Sequence, residues 1–493
     1  MTSVVQPPLT DDKPYDRADW QRGYLSQPQE FDYWVEEIDG TIPAELNGTL
    51  FRNGPGLMDI NGMTIHHPFD GDGMINRFTF QNGRVHYRNR YVQTEGYMAE
   101  QAAGKILYRG VFGTQKPGGW WNNFLDFNLK NIANTNIIYW GEKLLALWEG
   151  AKPHQLDPVT LSTFGIDDLS GDLGEKDNFA AHPRFEAGAE PRLINFSIDP
   201  GLSSELSVFE FDQTGKLLTR YGHRMPGFAF IHDFVVTPQY AIFFQNPVDF
   251  NPFPFLVGFR GAGECIKFQP QQATKIILIP RNGDREQIKI FESQAGFVFH
   301  HANAFETEGK VVIDSICYES FPEIEPGSDF RNVDFDGIAP GNLWRFELDL
   351  ASETVSRSQL DTRCCEFPTL NQANAGRAYR YLYAAAAHEA TGNAPHQAYV
   401  KLNLETGDRK LCSFAPRGYV SEPIFVPHPN AESEDHGWVL GVVYRSDRHA
   451  SDLVILSAQT WEVVATVKLK EHIPYSLHGS WVPETFLHES VTA

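Results

Sequence analysis

Apolar residues along this chain come in short runs separated by Gly, Asn, Asp and Pro. Segments such as IIYWGEKLLALWEG, YAIFFQNP, KVVIDSICY, RYLYAAAA and WVLGVVYR predict strands of about four to eight residues, buried on one or both faces. Patterns of helical period are scarce. DRADWQRGYL predicts one short helix within a polar, Pro-containing arm over residues 1–30, and LKNIANTN predicts a single helical turn.

The runs repeat as a unit. A polar residue heads a strand, an apolar run, a tight turn and a second run follow, and the unit ends on a polar turn such as LDLASET or LNLETGD. Heads stand at His182, His232, His300, Glu366, Glu422 and His478. NTNIIYWGEKLLALWEG near Asn134 fits the same template, and HPFDGDGM near His67 fits it loosely. About seven units of roughly 50–70 residues with four strands each predict an all-β fold, a seven-bladed β-propeller over residues 31–493 as a single domain. The last unit is short, so a strand around Leu50–Phe51 is expected to complete it and close the ring, removing an exposed edge. Loops near 100–130 and 246–264 exceed what a propeller needs and predict a loop and short-helix cap over one face.

Composition narrows the function classes. The chain has 493 residues, 42% hydrophobic and 21% charged, an ordinary globular balance. A net charge of −22 with no basic run excludes a nucleic-acid binder. No basic, then apolar leader and no apolar stretch of about 18 residues is visible, so a cytoplasmic protein is expected. The cysteines Cys265, Cys317, Cys364, Cys365 and Cys412 form no CxxC pair and read as reduced thiols. FDGDGM (Asp70, Asp72) lacks the closing Glu of a calcium loop, GFRGAGE lacks dinucleotide spacing, and no G-x-S-x-G or Walker motif occurs.

The heads carry the chemistry. A single histidine among the 17 says little. Four at the heads of different blades would converge on the axis, where protonated imidazoles repel and dry neutral ones leave nitrogens unpaired. A divalent metal resolves both conflicts. Four imidazoles on an octahedral ion leave two positions open, which suits dioxygen beside a substrate better than a closed structural zinc site, although the ligands alone do not fix the metal. Glu149, Glu366 and Glu422 could accept Nδ1–H from imidazoles and turn Nε2 toward the metal. The residues alone leave His300 and His301 both open as the third ligand.

LFRNGPG, HPFDGDGM, NIANTNI, LALWEG, SVFEFD, FAFIHDF, FVFHHANAFE, LWRFELD, CCEFP, GNAPHQA, SEPIFVP and IPYSLHGSW together resemble the carotenoid cleavage oxygenases over about residues 20–481. The likeness is nearest to the subgroup that cleaves apocarotenoids at the central 15,15′ bond. It implies a four-histidine iron(II) centre, one ion per chain, on a propeller axis. The ligands it implies are His182, His232, His300 and His478, the pattern F-H-x-x-N selecting His300. It implies three carboxylates behind them, paired as Glu149 with His232, Glu366 with His300 and Glu422 with His478, and none for His182. Thr135 matches a position whose methyl group crowds one open metal site. An apolar tunnel is implied over one face, and Phe69, Phe112, Trp148, Phe230, Phe299 and Phe367 are candidates to line it.

The expected reaction is oxidative cleavage of a conjugated double bond of an apocarotenoid or carotenoid to two carbonyl products, with O2 as co-substrate. Two other readings stay open: a stilbene-cleaving oxygenase of the same fold, and a non-enzymatic propeller that binds apolar ligands. WWNNFLDF (120–127) and the loop at 250–259 carry apolar residues that predict peripheral membrane contact, through which a polyene would enter, or a cap packed on the propeller or another subunit.

Overall fold

The computed structural model describes residues 13–201, 203–323 and 327–487. Seven antiparallel sheets form the blades of a β-propeller. From the inside outward, blade 2 runs Asn136–Trp140, Lys143–Leu147, His154–Leu156, Thr163–Ile166, and blade 3 runs Arg184–Glu186, Arg192–Asp199, Ser203–Phe211, Leu217–Pro226. Blade 4 runs Val235–Val236, Tyr240–Gln245, Thr274–Pro280, Lys289–Ser293, and blade 5 runs Phe297–Thr307, Lys310–Tyr318, Asn342–Asp349, Thr354–Asp361. Blade 6 runs Cys365–Thr369, Tyr381–Ala387, His396–Asn403, Arg409–Ser413.

Blades 1 and 7 close the ring. The inner strand of blade 1, Gly479–Val482, pairs with Gly48–Leu57, Leu50 facing Trp481 and Phe51 facing Ser480. Asp72–Gln81, Arg84–Tyr91 and Asp32–Trp34 complete that blade. Blade 7 holds Gly418–Val420 and Ile424–Pro427 inside, then Gly437–Arg445, Ala450–Ser457 and Val463–Lys468, and takes Ile38–Gly40 as its outer strand. Two strands thus cross the seam in opposite senses, and neither blade shows a bare edge where the ring shuts.

The core is a set of wedges rather than a single centre. Seven apolar clusters lie one between each pair of neighbouring blades. Alternation along a strand feeds two wedges at once: Ile276 and Leu278 face blade 5, while Ile277 and Ile279 face blade 3. Leu440 and Val442 likewise face blade 1, and Val439 and Val443 face blade 6. Burial on both faces explains why these strands read as unbroken apolar runs. Truncating such a side chain to Ala costs about 2–5 kcal/mol. Gly441 sits where a Cβ would lie 2.0 Å from the Tyr399 hydroxyl, so this strand can approach blade 6 only without a side chain there.

Each blade's inner strand starts at the same end of the axis, so every second strand returns to that end. Residues 58–71, 92–134, 246–273 and, of the described residues, 319–323 and 327–341 all follow such returning strands and build the cap on that face. The cap is knit by backbone bonds from Leu125 to Leu256 (2.9 Å), Gly263 to Val111 (2.7 Å) and Phe330 to His66 (2.9 Å). It holds the helices Glu95–Ala103 and Phe253–Leu256.

Two expectations need correction. LKNIANTN forms no helical turn, because Asn131, Asn134 and Asn136 spend their side-chain amides on the carbonyls of Lys152, Gly71 and Ala181, which favours irregular backbone. His67 heads no blade: it precedes a 3-10 turn in the cap and packs on Phe112, with ring centroids 5.1 Å apart. The arm's helix is Arg17–Arg22, capped by Asp16, with Trp20 and Tyr24 packed on Phe330 and Tyr475; residues 1–12 of the arm lie outside the described residues. All five cysteines are free thiols.

Candidate metal centre

Where the inner strands begin, the propeller gathers its heads. His182 and His232 stand just before the inner strands of blades 3 and 4, His300 lies inside that of blade 5, and His478 immediately precedes that of blade 1. One ring nitrogen from each of the four lies within 4.8 Å of the others. His182 Nε2 and His232 Nε2 are 2.9 Å apart. Nitrogens at about 2.1 Å from one ion stand about 3 Å apart at right angles and about 4.2 Å apart across it, so the spacing fits a common metal. His300 Nε2 is buried and has no hydrogen-bond partner among the described residues. A buried unpaired ring nitrogen is costly unless a metal takes its lone pair.

Three carboxylates face the outer nitrogens. Glu149 Oε2 lies 2.6 Å from His232 Nδ1, Glu366 Oε2 2.5 Å from His300 Nδ1, and Glu422 Oε1 2.8 Å from His478 Nδ1. A carboxylate accepts, so each Nδ1 carries the proton and each Nε2 turns its lone pair inward. His182 pairs with no carboxylate among the described residues. Burial, and then the three neighbouring imidazoles, drive its pKa far below 6.5, so it stays neutral. Burial would raise the pKa of Glu366, but His300 and hydrogen bonds outweigh it and hold the carboxyl below 4.5. His478 and Arg52 do the same for Glu422.

The two adjacent histidines separate cleanly. His301 turns to the other face, where its Nδ1 meets Ser315 Oγ at 2.7 Å and its ring packs on Phe244. The geometry therefore brings His300, not His301, to the cluster. The strand is bulged on both sides of His301, which aims His300 at the axis. Glu366 sits beside a second irregularity: Phe367 has φ 57° and donates its N–H to Glu366 Oε2 (2.7 Å). This left-handed backbone costs about 1–3 kcal/mol for a non-glycine residue. It presents the Phe367 ring to His300 and His478, at 5.5 and 5.3 Å.

Of the other candidates, Thr135 heads blade 2; its carbonyl accepts from His478 N–H (3.2 Å) and its hydroxyl donates to Asn134 Oδ1 (3.0 Å). Glu149 is no head: it follows the second strand of blade 2. Phe299 lies 5.9 Å from His232, and Phe230 connects to it through Phe297. Phe69 and Phe112 pack together in the cap, 5.2 Å apart, and Trp148 lines a small cavity with Ile65, Asp70 and Val111.

Sequence reasoning missed three supports. Arg184 binds both Asp233 oxygens (2.7 and 2.6 Å) and the carbonyls of Phe234 and His301, while Asp233 accepts His301 N–H, so one ion pair ties the heads of blades 3, 4 and 5. The Tyr318 hydroxyl donates to Glu366 Oε1 (2.8 Å). Arg52, among the most deeply buried side chains, donates to Glu422 Oε2 (2.6 Å). The signal for the first was a charged residue within two positions of a head; the other two left none.

Residues 24–483 match the family described as RPE65, retinal pigment epithelial membrane protein. The apocarotenoid-15,15′-oxygenase of Synechocystis is 54% identical over 97% of this chain and 99% of its own. An isoeugenol monooxygenase of Pseudomonas nitroreducens is 31% identical over 92% of this chain and 95% of its own. A crystal structure of the cobalt-substituted Synechocystis oxygenase superposes with a TM-score of 0.93 at 54% identity, covering 95% of this chain and 99% of that one.

Proposed function

The chain belongs to the RPE65 family of carotenoid oxygenases, and on that premise we propose that it is an iron(II) dioxygenase cleaving the central 15,15′ double bond of an apocarotenoid. Four inward imidazoles held by three carboxylates, within a chain 54% identical to an apocarotenoid-15,15′-oxygenase, carry this reading. His182, His232, His300 and His478 hold one ion per chain. Bound iron(II) supplies open positions and electrons for dioxygen chemistry, which protein side chains lack. The reaction balances without further reductant: one C=C and one O2 give two carbonyl groups.

The chain's own residues do the rest. Glu149, Glu366 and Glu422 keep a proton on each Nδ1 and so fix the imidazole orientation. Thr135 narrows one approach to the ion. Phe299 and Phe367 flank the imidazoles and, with Phe230, Trp148, Phe69 and Phe112, offer aromatic faces to a flat polyene and to positive charge developing along it. Bond choice is set by how far the polyene slides past the histidines. No general base is required. Residues 31–493 act as one catalytic unit carrying the arm 1–30.

Among the described residues no helix is long and apolar enough to cross a membrane. Trp121, Phe124, Leu125, Phe127, Phe253 and Phe259 nevertheless crowd onto two adjoining cap loops with 44–71% of their surface exposed. This patch is the surface through which the protein touches a membrane and receives its apolar substrate. Stilbene cleavage fits less well. It needs a phenol-ionising group, and the Tyr318 hydroxyl is already donated to Glu366, its pKa pushed far above 10 by burial and by that carboxylate.

Incubating the iron-loaded protein with an apocarotenal under 18O2 tests the function. Loss of polyene absorbance with one labelled oxygen in each of two carbonyl products, one of them retinal-like, is expected. Unchanged absorbance at full iron occupancy across a range of polyenes overturns it.

A further inference from the structure

The three carboxylates are not held alike. Glu149 has no further hydrogen bond among the described residues beyond that to His232. Glu366 receives the Tyr318 hydroxyl and the Phe367 N–H. Among the described residues only Glu422 receives a Lys or Arg cation: Arg52 Nη1 lies 2.6 Å from its Oε2, with the guanidinium side chain 1% exposed. A buried guanidinium is expensive to leave unpaired; both terminal nitrogens of Arg52 are spent on a single neighbourhood, while its Nε has no hydrogen-bond partner among the described residues. Arg52 Nη2 also donates to the Leu477 carbonyl at 2.9 Å and to Ser476 Oγ at 3.3 Å. Glu422 Oε1 accepts from His478 Nδ1, and Oε2 accepts from Gly479 N–H at 3.1 Å.

His478 is therefore gripped at both ends by one planar fork. One arm aligns the carboxylate that orients the ring; the other pins the peptide just before it. The glycine of LHGSW is required first by strand pairing, since a Cβ at Gly479 would lie 2.1 Å from the Phe51 carbonyl oxygen; it would also lie 2.8 Å from Arg52 Cδ and crowd the arginine stem.

We propose that Arg52 is the positioning residue of the fourth ligand: working through Glu422, it sets the orientation of His478 and hence the affinity and coordination geometry of the metal. This rests on the four-histidine reading above. Lysine offers one point charge where arginine offers a planar fork, so it cannot serve Glu422 and the Leu477 carbonyl together in the same geometry.

The test is a double-mutant cycle read by cobalt(II), using the full chain without oxygen. Affinity is measured by chelator competition, and geometry by the visible d–d absorption of the bound ion. Arg52→Gln is expected to weaken cobalt(II) binding by about 10-fold or more and to shift the d–d bands. In a Glu422→Gln background the same change should cost several-fold less, because the carboxylate arm is already broken and only the hold on the Leu477 carbonyl remains to be lost. Arg52→Lys, which keeps the charge, gives an intermediate loss and serves for the cycle if Arg52→Gln does not fold. Equal losses in both backgrounds would make Arg52 an independent packing residue and overturn the proposal, as would full affinity and an unshifted spectrum in Arg52→Gln. A wild type that binds no cobalt(II) overturns the four-histidine reading itself, a result distinct from either.

Discussion

At the scale of single residues, the centre depends on which way each ring faces. His300 and His301 are neighbours of equal chemistry, yet one nitrogen of His300 is bare at the axis and His301 is bonded to Ser315 between two blades. His300→Ala should therefore abolish stoichiometric metal, while His301→Ala should keep one ion per chain and lose only stability, by about 1–3 kcal/mol for the unpaired Ser315 hydroxyl and lost packing. Metal analysis beside thermal melting distinguishes the two, and a metal-free His301→Ala would reverse the assignment. The head positions were legible in the chain because the repeat marks them. The Glu–His partners could be paired through the family likeness, and the distances agree. Arg52 and Tyr318 were illegible, since a buried arginine or tyrosine inside a strand looks like any other until its partner, 370 positions away for Arg52 and 48 for Tyr318, is in place.

At the scale of elements, the cap decides what reaches the centre. The insertions at 92–134 and 246–273 betray themselves by apolar residues in irregular segments. The insertion at 319–341 does not: its composition is acidic and Pro-containing, and Phe330 reveals its role only by packing on His67 and Trp20. It ties the cap to the arm. The exposed rings carry a separate expectation. Wild-type protein should float with liposomes, and a variant with Trp121, Phe127, Phe253 and Phe259 all changed to Ser should remain at the bottom of the gradient with its cleavage of detergent-solubilised substrate intact. These rings are 61–71% exposed, so their loss should leave the fold alone. Flotation of the variant equal to wild type would discount the patch.

At the scale of the whole molecule, the ring is bolted on the face opposite the histidines. Glu210, buried, takes hydrogen bonds from Arg281 (2.8 and 3.0 Å), Tyr221 (3.0 Å) and Arg192 (3.1 Å), and Arg281 reaches on to Glu186, joining blades 3 and 4. Burial would raise the Glu210 pKa, but Arg281 and the other donors outweigh it and hold it below 4.5. A carboxyl depressed in the folded state stabilises fully above its unfolded pKa, and that stability drains away as pH falls below about 4.5. The melting temperature should fall through this range in wild type. Glu210→Gln should melt lower at pH 7, a broken buried pair costing about 3–5 kcal/mol, and show a shallower acid slope. Parallel acid slopes would exclude Glu210. The propeller itself was legible because both-face burial writes continuous apolar runs at a fixed spacing, whereas a network such as this one is assembled across blades and leaves no local mark.

The seam has a further consequence in time. Arg52 and Ser476 are bonded though 424 positions apart. A ribosome adding about 5–20 residues per second needs about 20–85 s to make that interval. Throughout it the inner edge of Gly48–Leu57 has no partner, and from the time His300 is made three of the four histidines wait for His478. Assembly of the centre is therefore a late event of biogenesis: a nascent chain can fold blade upon blade, but it cannot be loaded until its last strand is free to swing back to its first. Until then the open strand edge is the site at which two growing chains on one message could pair wrongly.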